Sequence, residues 1–139
     1  MAISQAMATS FKAEILDEQH DLVADTLKIA LYTSSASLGA TTTAYSATNE
    51  VANGSGYATG GVTLANKAVS TSGTTAYFDA DDPTWTSASF TARGALIYND
   101  TNGDKAIAVL NFGGDFTVSS GTFRIVFPAA GANAIITIA

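Results

Sequence analysis

The sequence predicts an all-β fold, an antiparallel jelly roll or β-sandwich of about eight strands with a short N-terminal helix or arm. Three observations predict it. From Thr26 onward the apolar residues alternate with period two. Clusters of Gly, Asn, Asp and Ser then punctuate the chain at short intervals, as turns between strands do. At 139 residues the chain has the length of one domain, enough to bury about two-thirds of its unfolded surface. The expected organisation is a single β domain over 1–139. Residues 1–25 form a helical arm and acidic linker, and 26–139 form the jelly-roll-like sandwich.

Taken in order, Ile3, Met7, Phe11 and Ile15 recur every four residues, which predicts one face of an amphipathic helix with Ser4 at its start. Such a helix either covers one end of its own sheet or packs, as an arm, on a neighbouring subunit. Glu14, Asp17, Glu18, Asp21 and Asp25 follow as a solvated acidic stretch. Leu27, Ile29 and Leu31 alternate with Lys28, Ala30 and Tyr32, the pattern of a half-buried strand. Residues 33–61 are rich in Ser, Thr, Ala and Gly, with Leu38, Tyr45, Val51 and Tyr57 as anchors and short strands at most near 44–51. A stretch of this length without regular structure is often functional.

Further strands are expected at 62–65, 68–71, 75–79, 87–99, 105–112, 116–118, 122–127 and 134–138. Asn102-Gly103 lies between two apolar runs, a strong hairpin signal. Gly113-Gly114-Asp115 and Ser119-Ser120-Gly121 are expected to be turns, and Pro128 to end the strand carrying Phe123, Ile125 and Phe127.

Composition narrows the function. The net charge is −6, and 13% of residues are charged against roughly 25% in an ordinary soluble domain. A partner covering such a surface desolvates few ions. Lys12, Lys28, Lys67, Arg93, Lys105 and Arg124 are scattered among the acids and form no basic patch, so no nucleic acid partner is expected. No membrane partner is expected either, because no apolar run approaches the ~18 residues of a span. Cysteine is absent, which fits folding in a reducing cytoplasm. Residues 1–16 lack the basic and apolar regions of a secretory signal.

Chemistry needs convergent reactive groups. The only histidine, His20, lies in the acidic stretch and is expected to be exposed, with no nucleophile spaced to meet it. Gly54-Ser55-Gly56 lacks the strand-to-helix setting of a nucleophile elbow, and the glycines of 54–61 match no phosphate-binding spacing. Asp79, Asp81 and Asp82, and again Asp100, Asn102 and Asp104, offer oxygens to a hard cation. The second set has its glycine at the fourth position where a calcium loop has it at the sixth, and an Asn-Gly turn explains it without metal. Trp85, the sole tryptophan, is expected to pack, and paired acids without an aromatic platform do not suggest a glycosidase. Asn53 and Asn99 open glycosylation sequons that read as chance. The expectation is a non-enzyme with no cofactor and no metal.

Five patches resemble a family of small structural proteins of tailed phages and prophages: MAISQAM with SFK following, LKIALYTSSASLGATTTAYSATNEV, GSGYATGGVTL, TARGALIYN and AVLNFGGDFTVSSGTFRIVFP. The nearest kind is the capsid cement, or decoration, protein of short-tailed phages. The resemblance implies a jelly roll on the outer surface of a virion shell, the phage major capsid protein as partner and no catalytic residues to carry over. It implies synthesis in the bacterial host cytoplasm. A homo-oligomer is expected, a dimer before a trimer, because the apolar stripe and the low charge suit packing across a twofold. The candidate partner-contact residues are Ile3, Met7, Phe11, Ile15, Leu38, Tyr45 and Tyr57. The alternatives are a phage tail or receptor-binding fibre-tip protein and, from another class, a carbohydrate-binding lectin.

Overall fold

A computed structural model describes residues 2–139. The elements are β1 (Ala6–Met7), α1 (Thr9–Leu16), β2 (Leu27–Tyr32), β3 (Val62–Thr63), β4 (Ala68–Ser72), β5 (Thr75–Asp79), β6 (Thr84–Asn99), β7 (Lys105–Arg124) and β8 (Ile136–Ile138). They form two antiparallel sheets in a sandwich-like arrangement, a five-stranded one in the order β1-β7-β6-β2-β3 and a three-stranded one in the order β4-β5-β8. The all-β expectation with about eight strands and a short N-terminal helix therefore holds. So does the hairpin at Asn102-Gly103, which joins β6 to β7 with Asn99 opposite Lys105.

The N-terminal segment departs from expectation. Ile3 and Met7 are not helical: Ile3 bridges Leu38, and Met7 pairs with Ala108 as part of an edge strand. A separation of four is a multiple of two, so the same spacing serves one face of a strand as well as one face of a helix. The helix begins only at Thr9, runs for eight residues and has Ala8 at its cap, without a side-chain capping bond. Ser4 does not cap it; its N–H donates to the Leu38 carbonyl at 2.8 Å. Of the two readings of this segment, covering its own sheet is the one observed, with Ile3, Ala8 and Phe11 in the core.

Strand β2 is buried on both faces, where alternation had suggested one. One edge pairs with β6 along the whole strand, and β3 pairs with Lys28 and Ile29 on the other. The rest of that second edge is completed by the 33–61 loop. Thr33 N–H donates to the Asn49 carbonyl, Val51 N–H to the Leu31 carbonyl at 2.9 Å, and Leu31 N–H to Tyr57 Oη at 2.9 Å. Buried backbone groups must be paired, and here a loop without a strand of its own pairs them.

The expected turns at 113–115 and 119–121 do not reverse the chain. They are irregularities inside β7, where Gly113 (φ 81°) and Ser120 (φ 48°) are left-handed and the register with β6 shifts. Bulges bend a strand, and the bend is large enough to bring the Phe112 and Phe123 rings of β7 to 6.0 Å. Nor does Pro128 end this strand. The ladder ends at Arg124 opposite Thr84: the Ile125 N–H still donates to the Pro83 carbonyl at 3.1 Å, but Pro83 has no N–H to return the bond and extend it.

Gly61 (φ 81°) lies so close to β2 that an added Cβ would stand 1.8 Å from the Ile29 carbonyl oxygen. Both the left-handed backbone and the contact demand glycine. We expect Gly61→Ala to cost about 3 kcal/mol or more, read as a lower urea midpoint; a midpoint equal to wild type would contradict this packing.

Candidate functional site

Two polar knots tie distant segments together through hydrogen bonds, one around Glu50 and one around His20 and Asn99. At the first, the Glu50 carboxylate accepts Tyr45 Oη–H at 2.6 Å, Tyr57 Oη–H at 2.5 Å and the Gly60 N–H at 2.7 Å. Tyr98 donates to the Gly60 carbonyl at 2.7 Å and stacks on Tyr45 with ring centroids 4.6 Å apart. Tyr32 donates to the Ser46 carbonyl. No charged residue other than Glu50 occurs between Lys28 and Lys67. That isolation in a polar loop was the one available signal of its role, and sequence reasoning passed over it.

The second knot joins α1, the acidic stretch and the β6–β7 hairpin. The Asn99 amide donates to His20 Nδ1 at 3.0 Å and to Asp25 Oδ2 at 2.8 Å. His20 Nε2 therefore carries the hydrogen that Glu14 Oε1 accepts at 3.0 Å. The His20 ring packs 4.9 Å from that of Phe11, and its side chain is fully buried. The expectation of an exposed His20 is thus corrected: its two nitrogens and its ring all find partners that draw it inward. Asn99 is fully buried too, so its sequon is closed to modification, whereas Asn53 is exposed. Hydrogen bonds from the Asn99 amide and the Asp21 N–H hold the Asp25 carboxyl below its usual range.

Within the two oxygen-rich sets, Asp81, Asp82, Asn102 and the Asp104 backbone fasten neighbouring chain. Asp82 accepts the Phe127 N–H at 2.9 Å and Arg124 Nη2 at 2.7 Å, which lowers its pKa in that order of importance. Asp81 accepts from Asn66, and the Asp104 carbonyl accepts the Tyr45 N–H. Among the described residues no three His, Cys, Asp or Glu side chains converge as a metal site. Trp85 is buried as expected, between Tyr57 and Phe123.

The candidate contact residues divide by burial. Ile3, Phe11 and Tyr57 lie in the chain's own core, while Met7, Ile15, Leu38 and Tyr45 are partly buried against it. The N-terminal stripe is therefore not a free arm; packing onto β7 has covered it. Apolar surface remains elsewhere. The bent β7 encloses a concavity of about 450 Å³ with Phe112, Phe116, Val118, Phe123 and Val126 in its wall. Phe116 is 53% and Val126 72% exposed there. A groove of about 500 Å³ runs between the three-stranded sheet and α1, lined by Ile15, Leu22, Val69, Phe78, Ile136 and Ile138. Comparison with family models, with curated proteins and with solved structures finds no match for this chain.

Two predictions follow from the Glu50 knot. Glu50→Gln leaves one acceptor where two oxygens served three donors, and should cost about 1–3 kcal/mol while making 33–61 the first segment cut in limited proteolysis. Unchanged stability and cleavage pattern would refute the role given to Glu50.

The second concerns alkaline pH. Burial raises the phenol pKa of Tyr57, Tyr45, Tyr32 and Tyr98; Glu50 adds to the first three and Asp100 to the last. The unfolded chain releases these protons near pH ~10 and the folded chain at higher pH. Their contribution to stability is therefore complete below about pH 10 and is lost as pH rises above it. Phenolate absorbance from these four tyrosines should appear only together with the loss of β circular dichroism. A smooth titration in a folded protein would overturn this.

Proposed function

We propose that the chain is a structural virion protein, a cement or decoration protein on the outer surface of a phage capsid. It clamps neighbouring major capsid subunits against the pressure of packaged DNA. The observation that carries the reading is the exposed apolar concavity of β7 on a chain with few charges: Phe116 and Val126 face solvent beside Arg124 alone among cations. The resemblance of the five sequence patches to phage structural proteins supports the same reading. The two polar knots leave His20 and Glu50 to hold loops in place, and the mechanism is mechanical. Each contact is modest, since a standard interface buries roughly 1,600 Å², but repetition over a symmetric shell multiplies it.

Attachment through apolar contacts should survive moderate salt, unlike a phosphate-driven contact. Phe116→Ala should weaken binding to heads by about 1–3 kcal/mol without altering the fold. Heads lacking the protein should assemble yet burst at lower temperature, and wild-type protein added back should restore them. If labelled protein is found only at the tail tip and heads without it resist heat equally, the tail or receptor-binding reading takes its place.

A further inference from the structure

A sheet edge exposes a row of unpaired N–H and C=O groups, and proteins ordinarily blunt it with brevity, bulges, charge, proline or a cover. Most edges of this molecule are blunted. Strands β1 and β3 have two residues each and β8 has three. Strand β7 is bulged along the part that β1 leaves unpaired. The stretch of β6 beyond β2 is approached by the 54–57 loop, with Ser89 N–H donating to the Ser55 carbonyl at 2.8 Å.

Strand β4 is the exception among the described residues. It pairs with β5 in unbroken register from Ala68–Asp79 to Ser72–Thr75 and has no neighbour on its other side. All five residues, Ala-Val-Ser-Thr-Ser, are exposed, with no charge, proline or bulge. Lys67, the nearest cation, is turned away: its ammonium donates to the Asp25 carbonyl. The β4–β5 turn is a two-residue Gly73-Thr74 turn with Gly73 at φ 60°, so Ser72 and Thr75 share ladder bonds across it. By alternation Ser70 and Ala68 bond to β5 as well, and the N–H and C=O of Val69 and Thr71 point to the open side.

We infer that the β4 edge pairs with the β4 edge of a second copy, antiparallel about a twofold axis at Ser70. In that register Val69 of one copy lies opposite Thr71 of the other, and their four outward N–H groups meet four outward C=O groups with none left over. Val69 with Thr71 is a β-branched cross-strand pair of the kind sheets favour. Charge argues for the same occupant. In a chain of net charge −6, two copies repel over most of their surface, and this edge brings no charge of its own to the axis.

The side chains beside the edge support the same pairing. A five-residue edge falls short of the ~800 Å² per partner of a stable complex, but it does not act alone. Val69, 55% exposed, sits on the apolar face of the small sheet with Ala76 and Ile138. Joining the edges continues that face, and the groove beside it, from one copy into the next. The two small sheets become one six-stranded sheet. This inference does not rest on binding to a shell.

The test uses the absence of cysteine. Ser70→Cys should be converted by mild oxidation to a disulfide-linked dimer on non-reducing gels, whereas Ser119→Cys, on the bulged β7 edge, should stay monomeric. Ser70→Lys sets two ammonium groups against each other across the axis and should raise the dimer dissociation constant by about tenfold or more. Its melting curve, measured on monomer, should be unchanged, because Ser70 is exposed. Wild-type protein that scatters light as a monomer at tens of micromolar would overturn the inference. So would equal cross-linking at both cysteine positions, or a dimer indifferent to Ser70→Lys.

Discussion

The need to satisfy the second edge of β2 governs much of the architecture. That strand is buried on both faces, so each of its N–H and C=O groups must find a partner within the protein. A regular strand does this only at Lys28 and Ile29. Beyond them the partner is irregular chain, and irregular chain holds its place only if something pins it. Glu50 is the pin. Its carboxylate makes no ion pair among the described residues; it is stabilised by Tyr45, Tyr57 and the Gly60 N–H, as a partly buried charge without a cation must be. Tyr57 links the two levels, accepting from Leu31 of β2 and donating to Glu50. The composition of the 33–61 loop follows. Close approach to β2 and β6 needs glycine at 61 and at 56, where a Cβ would meet the Ala88 backbone at 2.7 Å.

The same dependence explains which parts of the structure were legible in sequence. Local patterns were: the alternation of 27–32, the Asn-Gly hairpin, and β5 at the expected limits. Gly113-Gly114-Asp115 and Ser119-Ser120-Gly121 were legible as irregular backbone, though not as bulges, because only the continuing β6 partner turns a break into a bend. The helix was overextended because Ile3 and Met7 satisfy both periodicities, and only pairing with distant chain, Leu38 for Ile3 and 107–109 for 6–8, decides between them. Least legible were the two knots. His20 and Asn99 lie 79 residues apart, and nothing local in either segment announces the other. Ile3, Met7, Phe11 and Ile15 stand out as an apolar stripe, and Leu38, Tyr45 and Tyr57 as apolar residues isolated in polar sequence; both are also the marks of anchors that a terminal segment or long loop uses to hold itself down. Ile3, Phe11 and Tyr57 do that.

With those anchors committed inward, any function of assembly must use what remains outside, and the remaining features differ in kind. The β7 concavity offers exposed aromatic and aliphatic side chains on a bent, bulged ribbon, suited to a partner with a protruding apolar contact and unsuited to adding a strand. The β4 edge is straight, short-chained and uncharged, suited to adding a strand and poor in anchoring side chains apart from Val69. One site would hold by packing and the other by main-chain hydrogen bonds, so they do not compete for the same occupant.

That division has a consequence for avidity. A twofold at Ser70 would place two β7 concavities on one rigid, six-stranded core, and the second attachment of such a dimer would be intramolecular. Its effective concentration depends on whether the spacing of the two concavities matches the spacing of sites on the surface they bind. A rigid core makes that dependence sharp, because a sheet joined by hydrogen bonds does not stretch as a linker does. Weak apolar contacts are then an advantage. Under the proposed function a single copy would bind and leave freely, while a dimer seated on two correctly spaced subunits would resist any movement that pulled them apart. Clamping of the kind proposed would thus require no strong individual bond, only modest ones held at a fixed separation.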